Sequence, residues 1–391
     1  MLPVFLLALG LALTWLYLVT ARARVRISSL FESFDTRLLP DRWPSISVIV
    51  EARQQGDVLK FTLPSILSFY YPQVEILLVD DGSDDAIRQA AQQAAAAEPA
   101  ARFRVLAGAP TPPGWRDELW ALEQGVNASD GEWLLFVDAG ILFDPTLPRD
   151  LARLALVEDY SMASLLHMLR PETFWDRLLL PAFFFFFHFL YPFHRVRESE
   201  SSIAAAAAGC LLVERQALGR AGGLQAVRGA RFEELALGRL MKASGARVYL
   251  GASVRAAGFR RLRTLRAIRQ MVTRSACAEF HYSWALVGAS LVVLGFLFGL
   301  PVAGAVLIGT GAFASFPYLH HCALGVLVGA IWGMMILSYG PILRFYGLPG
   351  HWALTLPAAA LLYGAMTVES AWLYRRRADP SGVALQSTAQ R

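Results

Sequence analysis

Between residues 46 and 138, short apolar runs alternate with longer segments of helical character. Ile46–Val50 predicts a buried strand and Val58–Tyr71 a helix. Glu75–Val79 predicts a second strand, entering the turn Asp80-Asp81-Gly82-Ser83, and an Ala/Gln-rich helix follows to about Ala97. Arg102–Leu106 reads as a third strand, Glu118–Asn127 as a helix and Trp133–Val137 as a fourth strand. Alternation on this scale implies βαβ crossovers and a parallel sheet covered on both faces. Ligands of such sheets sit at the carboxyl ends of the strands. The polar residues just past those ends are therefore the candidates: Glu51 to Gln55, Asp80, Asp81 and Asp138.

The flanks follow a different pattern. Residues 1–20 are apolar and uncharged, and Arg22, Arg24 and Arg26 come directly after them. A cleavable leader carries its positive charges first, so residues 1–21 predict an anchor whose far side faces the cytoplasm. Leu178–Phe193 (LLLPAFFFFFHFLYPF) is short and proline-broken. It predicts a helix lying in the membrane interface or lining an acceptor groove, with packing in a core as the alternative. Apolar blocks follow near 284–300, 302–317, 322–342 and 352–374, and Gly299-Leu300-Pro301 leaves the first two as two short spans or one broken one. Placing Arg375-Arg376-Arg377 in the cytoplasm requires an odd number of spans, which favours five. The expected organisation is an anchor over 1–21, a cytoplasmic domain over 40–280 with interfacial segments near 178–193 and 255–274, C-terminal transmembrane helices over 284–374, and a cytoplasmic tail over 375–391.

Composition agrees. Hydrophobic residues make up 55% of the 391 and charged residues 17%, against about 25% charged in a soluble domain. A disordered, collagenous or nucleic-acid-tail protein is excluded. The net charge of +5 is almost all arginine, with Lys60 and Lys242 the only lysines. The arginines gather beside apolar segments, notably Arg255, Arg260, Arg261, Arg263, Arg266, Arg269 and Arg274. That is the habit of a cytoplasmic membrane face, and nucleic acid is not an expected partner. Cys210, Cys277 and Cys322 are isolated, so neither zinc nor a disulfide framework is signalled.

Four constellations carry chemistry. One strand ends in Val50-Glu51-Ala52-Arg53. Another runs into Val79-Asp80-Asp81-Gly82-Ser83, where an acid can take a base N–H or a ribose hydroxyl, or can close its own Asx turn. A third, Trp133-Leu134-Leu135-Phe136-Val137-Asp138, ends on a carboxylate after a buried run, a costly place for charge unless it meets a cation or hydroxyls. The fourth, Arg231-Phe232-Glu233-Glu234-Leu235, opens an amphipathic helix on paired carboxylates. They serve either the helix dipole or as a general base beside an acceptor hydroxyl.

Together with "GEWLLFVDA", a small-residue strand over Ala204–Val213 and "ERQALGRAGG", these features resemble glycosyltransferase family 2. More narrowly, "RPETFWDRLLLPAFFFFF", "AAAAAGCLLVERQAL" and "LRFYGLP" are similar to the bacterial hopene-associated glycosyltransferases. The resemblance implies an α/β fold of the GT-A type: a Rossmann-like mixed sheet in the cytoplasm, with one N-terminal and several C-terminal transmembrane helices. It implies that Ala52, Arg53, Asp81 and Asp138 bind the donor nucleotide and that Asp138 contacts a divalent cation, Mg²⁺ or Mn²⁺. Glu234 takes the place of the acidic base, with Glu233 beside it. The expected activity is inverting, non-processive transfer of a sugar from a nucleotide-sugar donor to a lipid, a hopanoid among the candidates, at the bacterial inner membrane.

The chain also departs from the family pattern. Gly140 stands where the second carboxylate of the Asp-X-Asp motif belongs, Glu118 where a lysine follows Gly114-Trp115, and Gln54-Gln55 where Asn-Glu follows the arginine. These changes predict a weak metal site on Asp138 alone. They also leave an alternative: a non-catalytic relative that binds lipid or a partner protein.

Overall fold

Eight strands form one sheet in the order β3-β2-β1-β4-β7-β6-β8-β5. They are β1 (Ile46–Glu51), β2 (Val74–Asp80), β3 (Phe103–Ala107), β4 (Trp133–Asp138), β5 (Ile141–Phe143), β6 (Met162–Met168), β7 (Cys210–Glu214) and β8 (Val248–Gly258). This computed structural model describes residues 2–22, 39–52, 56–80, 102–230, 232–259, 264–280, 283–311 and 318–378, with scattered positions between 87 and 96. Its chain divides into two units. One holds Arg26–Arg170 and Leu190–Arg261; the other holds Met1–Val25, Pro171–Phe189 and Leu262–Arg391.

The first unit is built on the sheet. β1, β2, β3 and β4 are mutually parallel, as their uninterrupted apolar runs require of strands covered on both faces. β7 runs antiparallel to β4 and β6, and β8 is parallel to β6 and antiparallel to β5. The sheet is thus mixed and of the GT-A kind. Ile46, Val48, Val50, Leu78, Leu135, Val137, Leu165 and Leu212 form its core. Register pairs Glu51 at the end of β1 with Asp138 at the end of β4.

Two elements differ from expectation. The helix expected over Val58–Tyr71 ends at Leu67, because Phe69 and Tyr71 leave it to join the core, and the Tyr71 hydroxyl donates to the Pro44 carbonyl at 2.8 Å. The small-residue strand expected over Ala204–Val213 pairs only from Cys210. Gly209, at φ +88°, turns the chain in a left-handed conformation open to glycine. Ala204–Ala207 is instead a buried, unpaired strip.

The second unit is helical. Pro3–Thr20, Trp284–Gly309 and Cys322–Phe345 are the three helices among the described residues long and apolar enough to cross a membrane. Of the two readings of the blocks around Pro301, two short spans or one broken one, the structure gives one continuous helical stretch. Proline cannot donate to the carbonyl four residues back. Here a π-turn over Gly295–Gly299 precedes Pro301, and the Trp15 indole donates to that same Leu297 carbonyl at 3.0 Å. The proline's missing bond is made by another helix. Residues 356–378 form a further helix carrying Glu369, which meets Arg269 at 3.6 Å. The Phe-rich segment forms one helix, Phe174–Leu190. Its rings stack edge-on or tilted against Phe345, Tyr339, Phe298 and Tyr363 at centroid distances of 5.3–5.8 Å, and its Leu179 carbonyl accepts from the Tyr363 hydroxyl.

Candidate active site

The carboxyl ends of β1 and β4 converge on Asp138. Its Oδ1 accepts from the Gly140 N–H at 2.6 Å, an Asx turn that bends the chain into β5. The turn is pinned from both sides. The Thr62 hydroxyl donates to the Ala139 carbonyl, and the Phe259 N–H donates to the Gly140 carbonyl at 2.8 Å. Ala52 is buried just past β1. Arg53 and Asp81, the other donor-binding candidates, lie outside the described residues.

The acidic pair stands in the first turn of the helix Glu233–Ala243. Two features hold this helix. A Cβ on Gly238 would lie 2.7 Å from the Ala205 carbonyl carbon and 2.9 Å from the Ala206 nitrogen, so the helix rides directly on that backbone strip. One turn on, the Lys242 ammonium donates to the Val196 and Ile203 carbonyls at 2.9 and 2.8 Å. The alanine strip, which forms no strand, therefore serves as the seat of the acid-bearing helix.

Electrostatics tie the pieces together. Arg116, the residue before the helix Asp117–Asn127, lies with Nε 2.6 Å from Glu233 Oε1 and donates to Glu118 at 2.8 Å. The Glu233 contact is close but not aligned as a hydrogen bond. Burial pushes the Glu233 carboxyl up to about 7, with Arg116 opposing and Glu234 and Glu118 adding to the rise. Burial likewise raises Glu234; Arg116 opposes, while Glu118 and Asp138 add to it. Glu234 thus feels the β4 carboxylate directly. Two desolvated carboxyls with raised proton affinity are suited to taking a proton from a hydroxyl near neutral pH.

Two residues here carry no local signal of the site. Arg116 adjoins Gly114-Trp115, two positions before Glu118, where the sequence alone shows a surface ion pair. His167, at the end of β6, faces the Gly209 turn, and its Nδ1 has no hydrogen-bond partner. Burial lowers its proton affinity, against the pull of Asp138 and the Ala208 carbonyl. The Ile141 side chain also lies beside Gly209.

A divalent ion has little protein to hold. Among the described residues, no three His, Cys, Asp or Glu side chains stand where they could share one, and Gly140 offers no ligand. The arrangement fits a cation carried on the single carboxylate of Asp138, with donor phosphates and water completing its shell, as Mg²⁺ often allows.

A family model described as "Glycosyltransferase like family 2" matches residues 44–278, more than half of the chain. Among solved structures, a mannosyltransferase from Pyrobaculum calidifontis, in complex with GDP-Man and Mn²⁺, is similar in fold. It is 15% identical with a TM-score of 0.52, over 92% of this chain and 99% of that one. No curated protein matches.

Proposed function

The chain belongs to the glycosyltransferase like family 2, and from that premise we propose an inverting, non-processive transfer of sugar from a nucleotide-sugar donor to a lipid acceptor. The observation that carries this reading is the half-buried Glu233–Glu234 pair, set at a helix start and sharing its field with Asp138. Glu234 is the general base. Its carboxylate takes the proton of the acceptor hydroxyl as that oxygen attacks the anomeric carbon, and the bond from that carbon to the diphosphate breaks on the opposite face. Attack opposite the leaving group inverts the configuration. Glu233, at about 7, holds a proton beside Glu234 and so lowers the cost of a second negative charge there. Asp138 and Ala52, with Arg53 and Asp81, bind the nucleotide.

A divalent cation held by Asp138 and the donor phosphates would stabilise the charge that develops on the leaving diphosphate. The Mn²⁺ and GDP-Man of the solved neighbour make that pair the first donor to try. The apolar helices support an acceptor met at a membrane, and the Arg-rich flanks support a sheet domain on the cytoplasmic face of a bacterial inner membrane. The motif similarity makes a hopanoid the first acceptor to try.

The test is direct. Purified protein in detergent is given Mn²⁺, GDP-mannose or a UDP-sugar, and hopanoid or polyprenyl lipids, and products are read by mass. Glycosylated lipid formed by wild type and lost in Glu234→Gln supports the reading. Nucleotide binding without transfer to any acceptor would replace it with the non-catalytic, lipid- or partner-binding alternative, which the loss of a carboxylate at Gly140 favours.

A further inference from the structure

The helix Leu356–Ala378 is built inside out. Its buried face carries the hydroxyls. Tyr363 donates to the Leu179 carbonyl, Thr367 to the Tyr363 carbonyl and Ser370 to the Thr273 carbonyl. Its exposed face carries Ala358, Leu361, Ala365 and Val368, which recur at alternating steps of three and four residues and so form one stripe. Leu361 and Val368 are 53% and 37% exposed. A helix on the surface of a soluble domain turns its polar side outward. Hydroxyls turned inward to partners, with aliphatic carbon outward, suit a surrounding that offers no water to hydrogen-bond.

Neighbours within the helical unit fix how this helix lies. Ala371 packs on Val287, and a Cβ on Gly364 would lie 3.2 Å from Leu291 Cδ2 and 3.6 Å from Leu294 Cδ1. The helix therefore runs antiparallel to the span Trp284–Gly309, its C-terminal end beside the start of that span and its N-terminal end farther in. Leu354, just before the helix, lines a groove with Ala305, Val328 and Trp332, farther still along the same span. The span Cys322–Phe345 is antiparallel to Trp284–Gly309 as well. The Trp332 indole donates to the Pro301 carbonyl at 3.3 Å, and a Cβ on Gly304 would meet Val328 Cγ2 at 3.1 Å. Phe345 thus emerges on the face where Trp284 enters, and Ala371 returns to that same face. The chain between them goes in and comes back without crossing.

We propose that residues 346–378 form a re-entrant segment whose helix lays Ala358, Leu361, Ala365 and Val368 against lipid hydrocarbon and leaves the bilayer by the face it entered. The entering stretch is equipped for this. The backbone N–H groups of Tyr346, Gly347, Leu348 and Trp352 donate to the carbonyls of Ile342, Arg344, Leu343 and Pro349, so few donors are left for a medium without water. Charge agrees with the path. Arg344 at the end of one span and Arg375 at the end of the helix stand on one face, as basic residues beside apolar segments do; a spanning helix would put them on opposite faces. Glu369, the one acid of the helix, meets Arg269 at 3.6 Å in the part nearest that face. This arrangement holds whether or not the sheet domain transfers sugar.

The experiment uses the full chain carrying Cys277→Ser and Cys322→Ser, with one cysteine introduced at a time. Cys210 is buried and is kept; its failure to react shows that each variant is folded. A membrane-impermeant maleimide is applied to intact cells and to inverted membrane vesicles. Thr310→Cys, between the two spans, and Ser387→Cys, in the tail, should react from opposite sides. Reaction from the same side means that the helix spans, and overturns re-entry. Nitroxides at Ala358, Leu361, Ala365 and Val368 are then read in vesicles of phosphatidylethanolamine and phosphatidylglycerol by collision with oxygen and with a nickel chelate. Oxygen should dominate, and depth should fall steadily from Ala358 to Val368, about 15 Å along the helix. A depth maximum near Val368, with Ala358 shallow again, is the pattern of a spanning helix and overturns the proposal. High nickel access at Leu361 places the stripe in water, and low access to both reagents with spin–spin broadening places it against a second copy. Either result overturns the assignment to lipid.

Discussion

Gly238→Ala tests whether the acid-bearing helix is held by close approach. The added methyl would meet the Ala205 carbonyl carbon at 2.7 Å, the Ala206 nitrogen at 2.9 Å and the Ala205 oxygen at 3.1 Å. All three are backbone atoms, so no rotamer change relieves the contact, and the helix must lift from the strip. Overpacking of this kind costs about 1–3 kcal/mol, which outweighs the helix-propensity gain of about 1 kcal/mol from replacing glycine by alanine. The same movement would pull Lys242 from the Val196 and Ile203 carbonyls and displace Glu233 and Glu234. A shift of about 1 Å at a catalytic base can cost about 10²-fold in rate. Gly219→Ala is the control: it also lies in a helix, and its added methyl meets nothing within 4 Å. Thermal unfolding in detergent and sugar transfer should both suffer in Gly238→Ala and neither in Gly219→Ala. Equal melting temperatures and rates for the two variants would refute the reasoning.

Three further outcomes follow from the site. Glu234→Gln should cut kcat by about 10²–10⁴ with donor affinity kept; a larger loss in Glu233→Gln would exchange their roles. Glu233, raised from 4.5 to about 7 by burial, binds a proton in the folded state that the unfolded chain has released. Its contribution is therefore fully present below about pH 4.5 and is lost as pH climbs through about 7, on the order of 3 kcal/mol in all. Melting temperatures taken across that window should fall with rising pH in wild type, with a shallower slope in Glu233→Gln, and an identical slope rejects the assignment. Gly140 is not among the described glycines with positive φ, so its backbone does not demand glycine, and Gly140→Asp should tighten Mn²⁺ binding in the presence of GDP about tenfold, read by Mn²⁺ resonance; tight Mn²⁺ binding by wild type without nucleotide would contradict a single-carboxylate site.

What could be read from the chain depended on whether the relevant physics was local. The apolar runs of β1, β2 and β4 announce strands covered on both faces, and their position in a parallel sheet follows from the helices between them. Asp138 stands out because a carboxylate after Val137 is costly on its own terms. The alanine run differs from its local pattern for a physical reason too. Small apolar residues before Cys210 read as strand, yet their lack of bulk suits a surface on which Gly238 can ride, and Gly209 at φ +88° breaks the register. The break at Gly299-Leu300-Pro301 was legible as a break; its repair was not, because the donor is Trp15, from the other end of the chain.

Arg116 makes the same point about the site. Read locally, an arginine two residues before Glu118 is a surface ion pair of small value. Its meaning changes when the fold brings the start of another helix to it, because burial has raised the proton affinity of Glu233 and left the arginine as the charge opposing that rise. Two substitutions from the family pattern, Glu118 and Gly140, read separately as losses. In the folded site one adds a negative charge beside Arg116, and the other leaves Asp138 as a lone carboxylate. Restoring the carboxylate and removing the added charge together, in Gly140→Asp with Glu118→Gln, should therefore tighten Mn²⁺-dependent GDP binding beyond Gly140→Asp alone, and equal affinities of the two variants would reject that reading.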